Sequence, residues 1–260
     1  MRGVCYDGAS VRLRRDLDRP RPGSGEVVLG VRLAGICDTD IQIARGYMGF
    51  RGVLGHEFIG TTADGRRVTA EINNACHACP TCRAGLPGHC PNRTVLGILN
   101  HDGAMAEQVA VPARNLHDIP DAIPDEAAVF IEPLAAAFRV REQVPLGPGL
   151  RVAVLGDGKL GLLCTWVVRD AGADVHLVGK HDEKLALAGP GVTTHRLDDE
   201  NRLGRSCDVV IEATGSPSGL ATALGLVKPC GTVVLKTTVA GRHEVELAPV
   251  VIDEVRVVGS

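Results

Sequence analysis

Four cysteines, Cys76, Cys79, Cys82 and Cys90, lie in the single stretch CHACPTCRAGLPGHC, with gaps of two, two and seven residues. Two thiolates separated by two residues can bind one ion from a tight turn. Four thiolates complete the closed tetrahedral shell that zinc prefers, with Zn–S bonds of about 2.3 Å. A closed shell leaves no coordination position for a substrate. The spacing therefore predicts a structural zinc site that holds a loop, and any chemistry must lie elsewhere.

A second group of candidate ligands lies in the first half of the chain. Cys37 occurs in GICDTD, and His56 and Glu57 occur together in GHEFIG. A catalytic zinc takes about three protein ligands from cysteine, histidine and carboxylate and keeps one position open. Either Glu57 or Glu132 would supply the carboxylate. Taken singly, these residue types are also typical of a buried thiol, a turn histidine and an acid at a helix start. Their occurrence beside a four-cysteine loop and a dinucleotide pattern favours a metal.

The dinucleotide pattern is a glycine-rich loop between the strand RVAVL and the helical stretch LLCTWVVRDAG. In G-x-G-x-x-G, the first glycine permits a tight turn, the second lets the backbone approach a pyrophosphate, and the third lets the helix pack on the strand. The N–H groups at the helix start then face the phosphates. An ordinary strand-to-helix turn is the alternative, and the surrounding strand and helix order argues against it. The candidate cofactor-binding residues of this loop are Gly156, Gly158, Lys159, Leu160 and Gly161.

The next strand, DVHLV, ends at Gly179, where NAD-binding domains normally carry an acid that binds the adenine ribose. That acid is absent here, and Lys180 and His181 follow. A 2′-phosphate would meet a cation, so the sequence favours NADP over NAD. A solvated surface lysine is the alternative interpretation of Lys180. Thr214 and Gly215 follow a later strand, at the carboxyl edge where cofactors lie, and are expected to contact the nicotinamide half.

Two domains must position these groups. The first half reads as strands, including EVVLGVRLAG and RRVTAEI, whereas apolar strands alternate with helices from about Pro133. Such alternation is typical of a parallel sheet with crossover helices. EPLAAAFRVREQV is the expected linking helix, with Pro133 in its first turn. We therefore expect an α/β protein with a β-rich zinc-binding domain at 1–133 and a doubly wound dinucleotide-binding domain at 134–260.

Composition excludes several classes of function. The 260 residues carry a formal charge of −3 with interspersed signs, and aromatic residues make up only 3%. Neither a basic surface nor stacking side chains therefore favour a nucleic acid partner. The sequence contains no apolar run long enough to span a bilayer and begins without the apolar core of an export signal, so we expect a cytoplasmic protein that has no membrane partner. Nine cysteines in such a chain favour metal ligands and reduced thiols over disulfides.

The chain resembles the zinc-dependent alcohol dehydrogenases of the medium-chain dehydrogenase/reductase superfamily. The motifs that carry the resemblance occur in that family's order and cover essentially all 260 residues: GICDTD, GHEFIG, the four-cysteine loop, HDGAMAEQV, EPLAAAF and VLGDGKLG. The resemblance implies a GroES-like catalytic domain followed by a Rossmann domain, and hydride transfer between an alcohol or polyol and NAD(P). It also implies a homodimer, for which GRHEVELAPV and EVRVVGS would supply exposed strands.

The resemblance also implies roles for the ligand candidates. Cys37 and His56 match ligands of the catalytic zinc, and Glu57 matches a carboxylate in or near the ligand shell. Glu132 stands in a Glu-Pro-Leu motif that is similar to the polyol, glucose and threonine dehydrogenase branch. In that branch this carboxylate ligates zinc or holds its water. Zinc would then act as a Lewis acid on the substrate oxygen, beside the nicotinamide.

The proton path implied by the resemblance is only partly present. Asp40 matches the acid that steadies the ligand histidine, and Thr39 matches the hydroxyl that takes the alcohol proton. Gln42 stands where many relatives carry a histidine, and it cannot titrate, so the proton would leave through water or His101. Relatives also continue beyond the position of Ser260 with a return segment, so we expect a fragment or a reduced variant.

Two other functions fit parts of the pattern. One is a protein that binds zinc and cofactor without turnover. The other is a zinc-ribbon module, in which the four cysteines scaffold a surface for a nucleic acid or a protein. The acidic balance and the glycine-rich loop argue against the second.

Overall fold

The computed structural model of the chain describes residues 1–198, 203–239 and 244–260. The chain divides into two compact units, Met1–Glu132 and Pro133–Ser260, so the division falls one residue before the expected boundary. In the described ranges, no helix is both long and apolar enough to cross a membrane.

The first unit is built from short antiparallel strands and a few short helices. Its strands are β1 (Gly3–Tyr6), β2 (Val11–Arg14), β3 (Glu26–Gly35), β4 (Gly52–Val53), β5 (Glu57–Thr61), β6 (Arg67–Ala70), β7 (Asn73–Asn74), β8 (Thr94–Val95), β9 (Gln108–Pro112) and β10 (Leu116–Asp118). Its helices are α1 (Asp38–Ala44), α2 (Pro80–Arg83) and α3 (Asp125–Ala128), and α4 (Ile131–Gln143) begins at its end; single 3-10 turns cover Tyr47–Gly49, Pro87–His89 and Ala113–Asn115.

The main sheet of this unit has the order β10-β6-β5-β3-β9. Alternate residues of its strands point into one core, in which Leu29, Phe58, Val68 and Val111 are fully buried. β3 and β5 are neighbours, and Gly35 at the end of β3 pairs with Glu57 at the start of β5. This register brings the chain that leaves β3, at Cys37, next to the chain that enters β5, at His56.

The second unit is a parallel sheet with crossover helices. Its elements are β11 (Arg151–Leu155), α5 (Lys159–Asp170), β12 (Asp174–Gly179), α6 (Asp182–Leu185) with a 3-10 turn at Ala186–Ala188, β13 (Val192–Arg196), β14 (Cys207–Glu212), α7 (Gly219–Leu226), β15 (Val227–Leu235), α8 (Ala248–Ile252) and β16 (Arg256–Gly259). The strand order is β13-β12-β11-β14-β15-β16, and every pair is parallel. The order reverses between β11 and β14, which is where open α/β sheets bind ligands.

The sheet is covered on both faces, as a parallel sheet requires. Val152 and Val154 of β11 pack into one cluster with helix α5, whereas Ala153 and Leu155 pack into a second cluster with helix α7. All four side chains are fully buried. β11 is therefore a central strand that is packed on both faces, and the glycine-rich loop begins at its buried end.

Two sequence expectations for the second unit need correction. The strand β13, with sequence VTTHR, was not predicted, because its half-exposed polar residues lack an apolar run. The described part of GRHEVELAPV forms no strand; residues 248–252 form helix α8, whose second residue is Pro249. Proline is well tolerated in a first helical turn, since its missing N–H would have no partner there. Gly241–His243 of that stretch lie outside the described residues.

Candidate active site and metal centres

The candidate catalytic group lies where β3 and β5 meet. One ligand atom from each of Cys37, His56 and Glu57 lies within 4.8 Å of the other two. His56 and Glu57 are buried, and the Cys37 side chain is half-buried. The elements explain the arrangement, because Cys37 is the N-cap of α1, His56 directly precedes β5, and Glu57 is the first residue of β5.

Asp40 organises this group from the first turn of α1. Its Oδ2 accepts the Cys37 N–H at 2.8 Å, and its Oδ1 accepts the Gly55 N–H at 3.2 Å and lies 3.6 Å from His56 Nδ1. Burial raises the pKa of Asp40, and the facing His56 and the two N–H groups oppose that rise. One buried carboxylate thus joins the backbone at Cys37 to the backbone directly before His56. Thr39 Oγ1 lies 3.6 Å from Cys37 Sγ, which places a hydroxyl at the edge of the group.

The residues fit a zinc ion. Sulfur, imidazole nitrogen and carboxylate oxygen are the donors that catalytic zinc takes. His56 Nδ1 is buried and faces Asp40 Oδ1 at 3.6 Å, just beyond hydrogen-bond distance. A Cβ at Gly35 would lie 2.5 Å from Glu57 Oε2, so the glycine leaves the room that this carboxylate occupies. A histidine that binds a metal usually turns its other ring nitrogen to a carboxylate, so this arrangement leaves His56 Nε2 for the ion.

Two other sequence candidates lie outside this group. Glu132, in the first turn of α4, does not contribute a ligand atom to it. His101 Nδ1 donates to the Asp102 carbonyl at 2.7 Å, and His101 Nε2 lies 3.9 Å from Glu26 Oε1. Glu26 begins β3, whereas Cys37 follows the other end of that strand. The exit of the proton through water or His101 stays a prediction.

The four loop cysteines come together as their spacing predicts. Cys79 Sγ lies 3.5 Å from Cys82 Sγ and 3.8 Å from Cys90 Sγ, and Cys90 Sγ lies 3.5 Å from Cys76 Sγ. Sulfurs at the corners of a zinc tetrahedron are ~3.8 Å apart for Zn–S bonds of ~2.3 Å. The N–H groups of Ala78 and Cys79 lower the pKa of Cys76 to about 6, whereas desolvation and the neighbouring thiols raise the pKa of Cys82 to about 12. Four sulfurs this close ionise together only around a cation, so the group fits zinc.

The glycine-rich loop has the geometry that a dinucleotide requires. Gly156 has φ of +114°, and a Cβ there would lie 2.4 Å from the Ala213 carbonyl oxygen. A Cβ at Gly161 would lie 1.8 Å from the Gly156 carbonyl oxygen. Gly158 is different, because it caps α5 and a Cβ there would meet nothing within 4 Å. The first and third glycines are therefore needed by the fold, and the second leaves open space in front of a helix N-terminus.

Lys159 and Leu160 form the first turn of α5, directly after this open space. Leu160 is partly buried against the core cluster beneath the helix. Their backbone N–H groups belong to the helix start, where phosphates bind.

The residue that the sequence analysis missed is Asp157. Its Oδ2 accepts the N–H groups of Lys180 and His181, each at 2.7 Å, and lies 3.0 Å from His181 Nδ1. Burial alone would raise the pKa of Asp157, but these donors hold it below its ordinary value. A Cβ at Gly179 would lie 2.5 Å from Asp157 Cβ. Asp157 occupies the space beside Gly179, so only glycine fits at position 179. The signal available in the sequence was the acidic residue between the first two glycines of the loop, Gly156 and Gly158.

Cations lie around the end of β12. Lys180 is exposed, and Arg196 Nη1 donates to the Lys180 carbonyl and lies 3.2 Å from Asp182 Oδ1. The strand register explains the contact between Arg196 and Lys180, since Arg196 of β13 pairs with Gly179 of β12. Thr214 and Gly215 lie in the loop after β14, which the Ala213 N–H ties to the Leu155 carbonyl before the glycine-rich loop.

Comparisons with known sequences agree with this architecture. The family of alcohol dehydrogenase GroES-like domains matches residues 23–121. The starvation-sensing protein RspB of Escherichia coli is 31% identical over 239 residues, which cover 83% of this chain and 70% of RspB. L-Threonine 3-dehydrogenase of Pyrococcus horikoshii is 30% identical over 266 aligned positions, which cover 91% of this chain and 75% of that enzyme.

Solved structures agree as well. A zinc-binding dehydrogenase from Sinorhizobium meliloti, bound to NADP, matches with a TM-score of 0.88 at 29% identity, over 100% of this chain and 83% of that chain. The rspB protein of Escherichia coli CFT073, complexed with NADH, matches with a TM-score of 0.85 at 28% identity and the same coverage. The chain belongs to the zinc-dependent alcohol dehydrogenase family of the medium-chain dehydrogenase/reductase superfamily and is an oxidoreductase of that family.

Proposed function

We propose that this protein transfers hydride between an alcohol or polyol, or the matching carbonyl compound, and NADP(H), with one catalytic and one structural zinc. The observation that supports the catalytic zinc best is the approach of one ligand atom from each of Cys37, His56 and Glu57 to within 4.8 Å of the others. Glu132 stays a further candidate for the same ion. Cys76, Cys79, Cys82 and Cys90 would hold the structural ion.

Each residue of the catalytic group has a separate task in this proposal. When bound, zinc supplies Lewis-acid polarisation of a substrate oxygen. Asp40 keeps the His56 ring in one orientation and holds the N–H groups of Cys37 and Gly55. Thr39, beside Cys37, takes the hydroxyl proton and passes it to water. The second unit binds and orients the cofactor through the glycine-rich loop.

The preference for NADP rests on charge at the end of β12. Lys180 and Arg196 supply two cations there. Asp157 contributes the opposing charge, but its Oδ2 is engaged by three donors from the 180–181 segment. A 2′-phosphate would therefore gain from the two cations and face a carboxylate that is already hydrogen-bonded. The Sinorhizobium meliloti relative is bound to NADP, whereas the rspB protein is complexed with NADH.

Activity on a panel of polyols, sugars and simple alcohols tests the proposal. Oxidation is followed as NADPH absorbance in the zinc-loaded protein and in Cys37→Ser and His56→Ala. We expect turnover to fall by at least ~100-fold in both variants, because each loses a ligand of the ion that polarises the substrate. Cofactor affinity should stay unchanged. Cys5→Ser is the matched control, since Cys5 is a half-buried thiol of the same unit outside both metal groups. Undiminished turnover in either ligand variant refutes the proposal.

We also propose a homodimer in which the second unit contributes the interface. Within the described ranges β16 has one neighbour, β15, so its other edge is open. Val251 and Ile252 of α8 are 75% and 78% exposed beside that end of the chain. An open strand edge with apolar side chains is suited to pairing with a second copy. Light scattering should give twice the 27.3 kDa chain mass, and a mass of one chain at micromolar concentration would refute the dimer.

A further inference from the structure

Glu212 is the fully buried acid that the proposed reaction does not use. It is the last residue of β14, with an exposed fraction of 0%. Its Oε1 accepts three hydrogen bonds, from the Thr214 N–H at 2.9 Å, the Thr214 hydroxyl at 2.5 Å and the Thr237 hydroxyl at 2.8 Å. Its Oε2 has no partner among the described residues. A buried carboxylate that is satisfied on one side only is costly, so the arrangement calls for an explanation.

The carboxylate fixes the orientation of the loop that follows β14. The Thr214 N–H points to Glu212 directly. The Gly215 N–H donates to Thr237 Oγ1 at 3.0 Å, and the Ser216 N–H donates to Thr214 Oγ1 at 3.0 Å. Both hydroxyls in turn donate to Glu212. The N–H groups of three successive residues, 214–216, are therefore linked to Glu212 Oε1, the first directly and the other two through one hydroxyl each.

Peptide geometry turns this pattern into a prediction about the carbonyl groups. The described residues contain no cis peptide bond. In a planar trans peptide the carbonyl of one residue points opposite to the N–H of the next. The Ala213 carbonyl must then point away from Glu212. The Thr214 carbonyl must point away from the Thr237 hydroxyl, and the Gly215 carbonyl away from the Thr214 hydroxyl. The Ala213 carbonyl agrees with this prediction, because its oxygen faces Gly156 and lies 2.4 Å from the position that a Cβ of Gly156 would take.

These carbonyls lie at the carboxyl edge of the sheet, beside the glycine-rich loop. Carbonyl oxygens accept hydrogen bonds, so they suit the donors of a ligand and repel its phosphates. A dinucleotide carries donors in both halves, but the adenosine half, with its 2′-phosphate, is proposed to lie at the end of β12, on the other side of β11 from β14. The hydroxyls and the carboxamide of the nicotinamide riboside half are therefore the donors left for the loop after β14. We propose that Glu212, with Thr237, is a positioning residue that presents a row of carbonyl acceptors to the nicotinamide riboside half of the cofactor. This inference rests on the proposed binding of NADP(H).

Dissociation constants for two ligands test it by isothermal titration calorimetry. NADPH contains the nicotinamide riboside half, and adenosine 2′,5′-bisphosphate lacks it. We expect Glu212→Leu to weaken NADPH by at least ~10-fold and to leave adenosine 2′,5′-bisphosphate within ~2-fold of the wild type. Glu212→Gln keeps an oxygen acceptor in the same place, so it should bind NADPH within ~3-fold of the wild type. Equal weakening of both ligands, or unchanged NADPH binding in Glu212→Leu, would overturn the assignment.

A second pair of variants covers the case in which Glu212→Leu does not fold. Thr237→Val removes the hydroxyl that links Gly215 to Glu212, whereas Thr237→Ser keeps it. The valine variant should bind NADPH several-fold more weakly than the serine variant, with equal affinity for adenosine 2′,5′-bisphosphate. Equal NADPH affinity in the two variants would overturn the assignment. If the wild-type protein binds neither NADPH nor NADH, the proposed function itself fails, and the two failures are thereby distinguished.

Discussion

At the scale of single residues, two buried acids, Asp40 and Asp157, position the residues that are proposed to bind zinc and cofactor. Asp40 accepts the N–H groups of Cys37 and Gly55 and faces the ring of His56. Asp157 accepts the N–H groups of Lys180 and His181, which follow β12. Asp40 lies in the first turn of α1 and Asp157 in the glycine-rich loop, and each carboxylate accepts two backbone N–H groups. Such carboxylates set the geometry of a site without contacting the reacting atoms.

Removing the charge of Asp40 tests its role. Asp40→Asn keeps the shape but loses one strong acceptor for the Cys37 or Gly55 N–H and the charge that faces His56. We expect activity or zinc affinity to fall by ~10- to 100-fold, as is usual for outer carboxylates of metal sites. Asp38→Asn, on the exposed side of the same helix turn, is the control. The account of Asp40 is wrong if the two variants retain equal zinc and equal turnover.

Cofactor preference can be tested at Lys180. Lys180→Ala should raise the dissociation constant for NADPH by ~10-fold and leave that for NADH unchanged, because only a 2′-phosphate uses the added cation. Lys184→Ala, a substitution in the following helix α6, is the control. A Gly179→Asp substitution, which sequence reasoning would choose to favour NAD, is unsuitable, since its Cβ would lie 2.5 Å from Asp157 Cβ. Equal losses for both cofactors in Lys180→Ala would refute the phosphate-binding role.

At the scale of elements, the strand-to-helix turn after β11 separates fold from function. Gly161 packs on Gly156, whereas Gly158 borders open space. Gly161→Ala should therefore destabilise the protein by ~1–3 kcal/mol or more, as overpacking does. Gly158→Ala should leave the melting temperature nearly unchanged and weaken NADPH by at least ~10-fold, because the added methyl group occupies the space for the pyrophosphate. Thermal unfolding and cofactor titration of both variants check this, and the reverse pattern would contradict it.

Much of the fold could be predicted because the sequence patterns are local. EVVLGVRLAG and DVHLVG coincide with β3 and β12, and the linking helix has Pro133 in its first turn. The short, exposed strands β2 and β13 carry no apolar alternation, so only pairing with a neighbour defines them. A strand was expected in GRHEVELAPV, but its last residues begin helix α8, because no neighbouring strand in the described part of the chain pairs with them.

The candidate site could be predicted in its ligand types but not in its supporting contacts. Cysteine and histidine spacing indicated both metal groups. The contact of Asp157 with residues 180–181, and of Glu212 with Thr237, joins residues more than twenty positions apart. Such contacts depend on strand register, which the sequence pattern does not reveal. The role of Glu132 stays a prediction.

At the scale of the whole molecule, the four-cysteine loop is expected to stabilise the first unit and not to take part in turnover. Cys79→Ser should cost one zinc per chain and lower the melting temperature, since binding of a structural ion contributes to folding. Cys230→Ser, an exposed thiol of the second unit, should do neither. Metal analysis and calorimetry check this; an unchanged melting temperature in Cys79→Ser would contradict the structural role.

Family membership decides between the functions that the sequence left open. The match to alcohol dehydrogenase GroES-like domains and to dinucleotide-bound relatives along the whole chain supports an oxidoreductase over a zinc-ribbon module or a binding protein without turnover. The cytoplasmic location expected from the composition stays a prediction.

The most direct test of the account is the zinc content of the purified protein and of its Cys37→Ser variant, measured by mass spectrometry of the metal. The account predicts two zinc ions per chain in the wild type and one in the variant, because the closed four-thiolate group keeps its ion when the open one is broken. One ion per chain in both proteins would show that Cys37, His56 and Glu57 hold no metal, and the proposed catalysis would be contradicted.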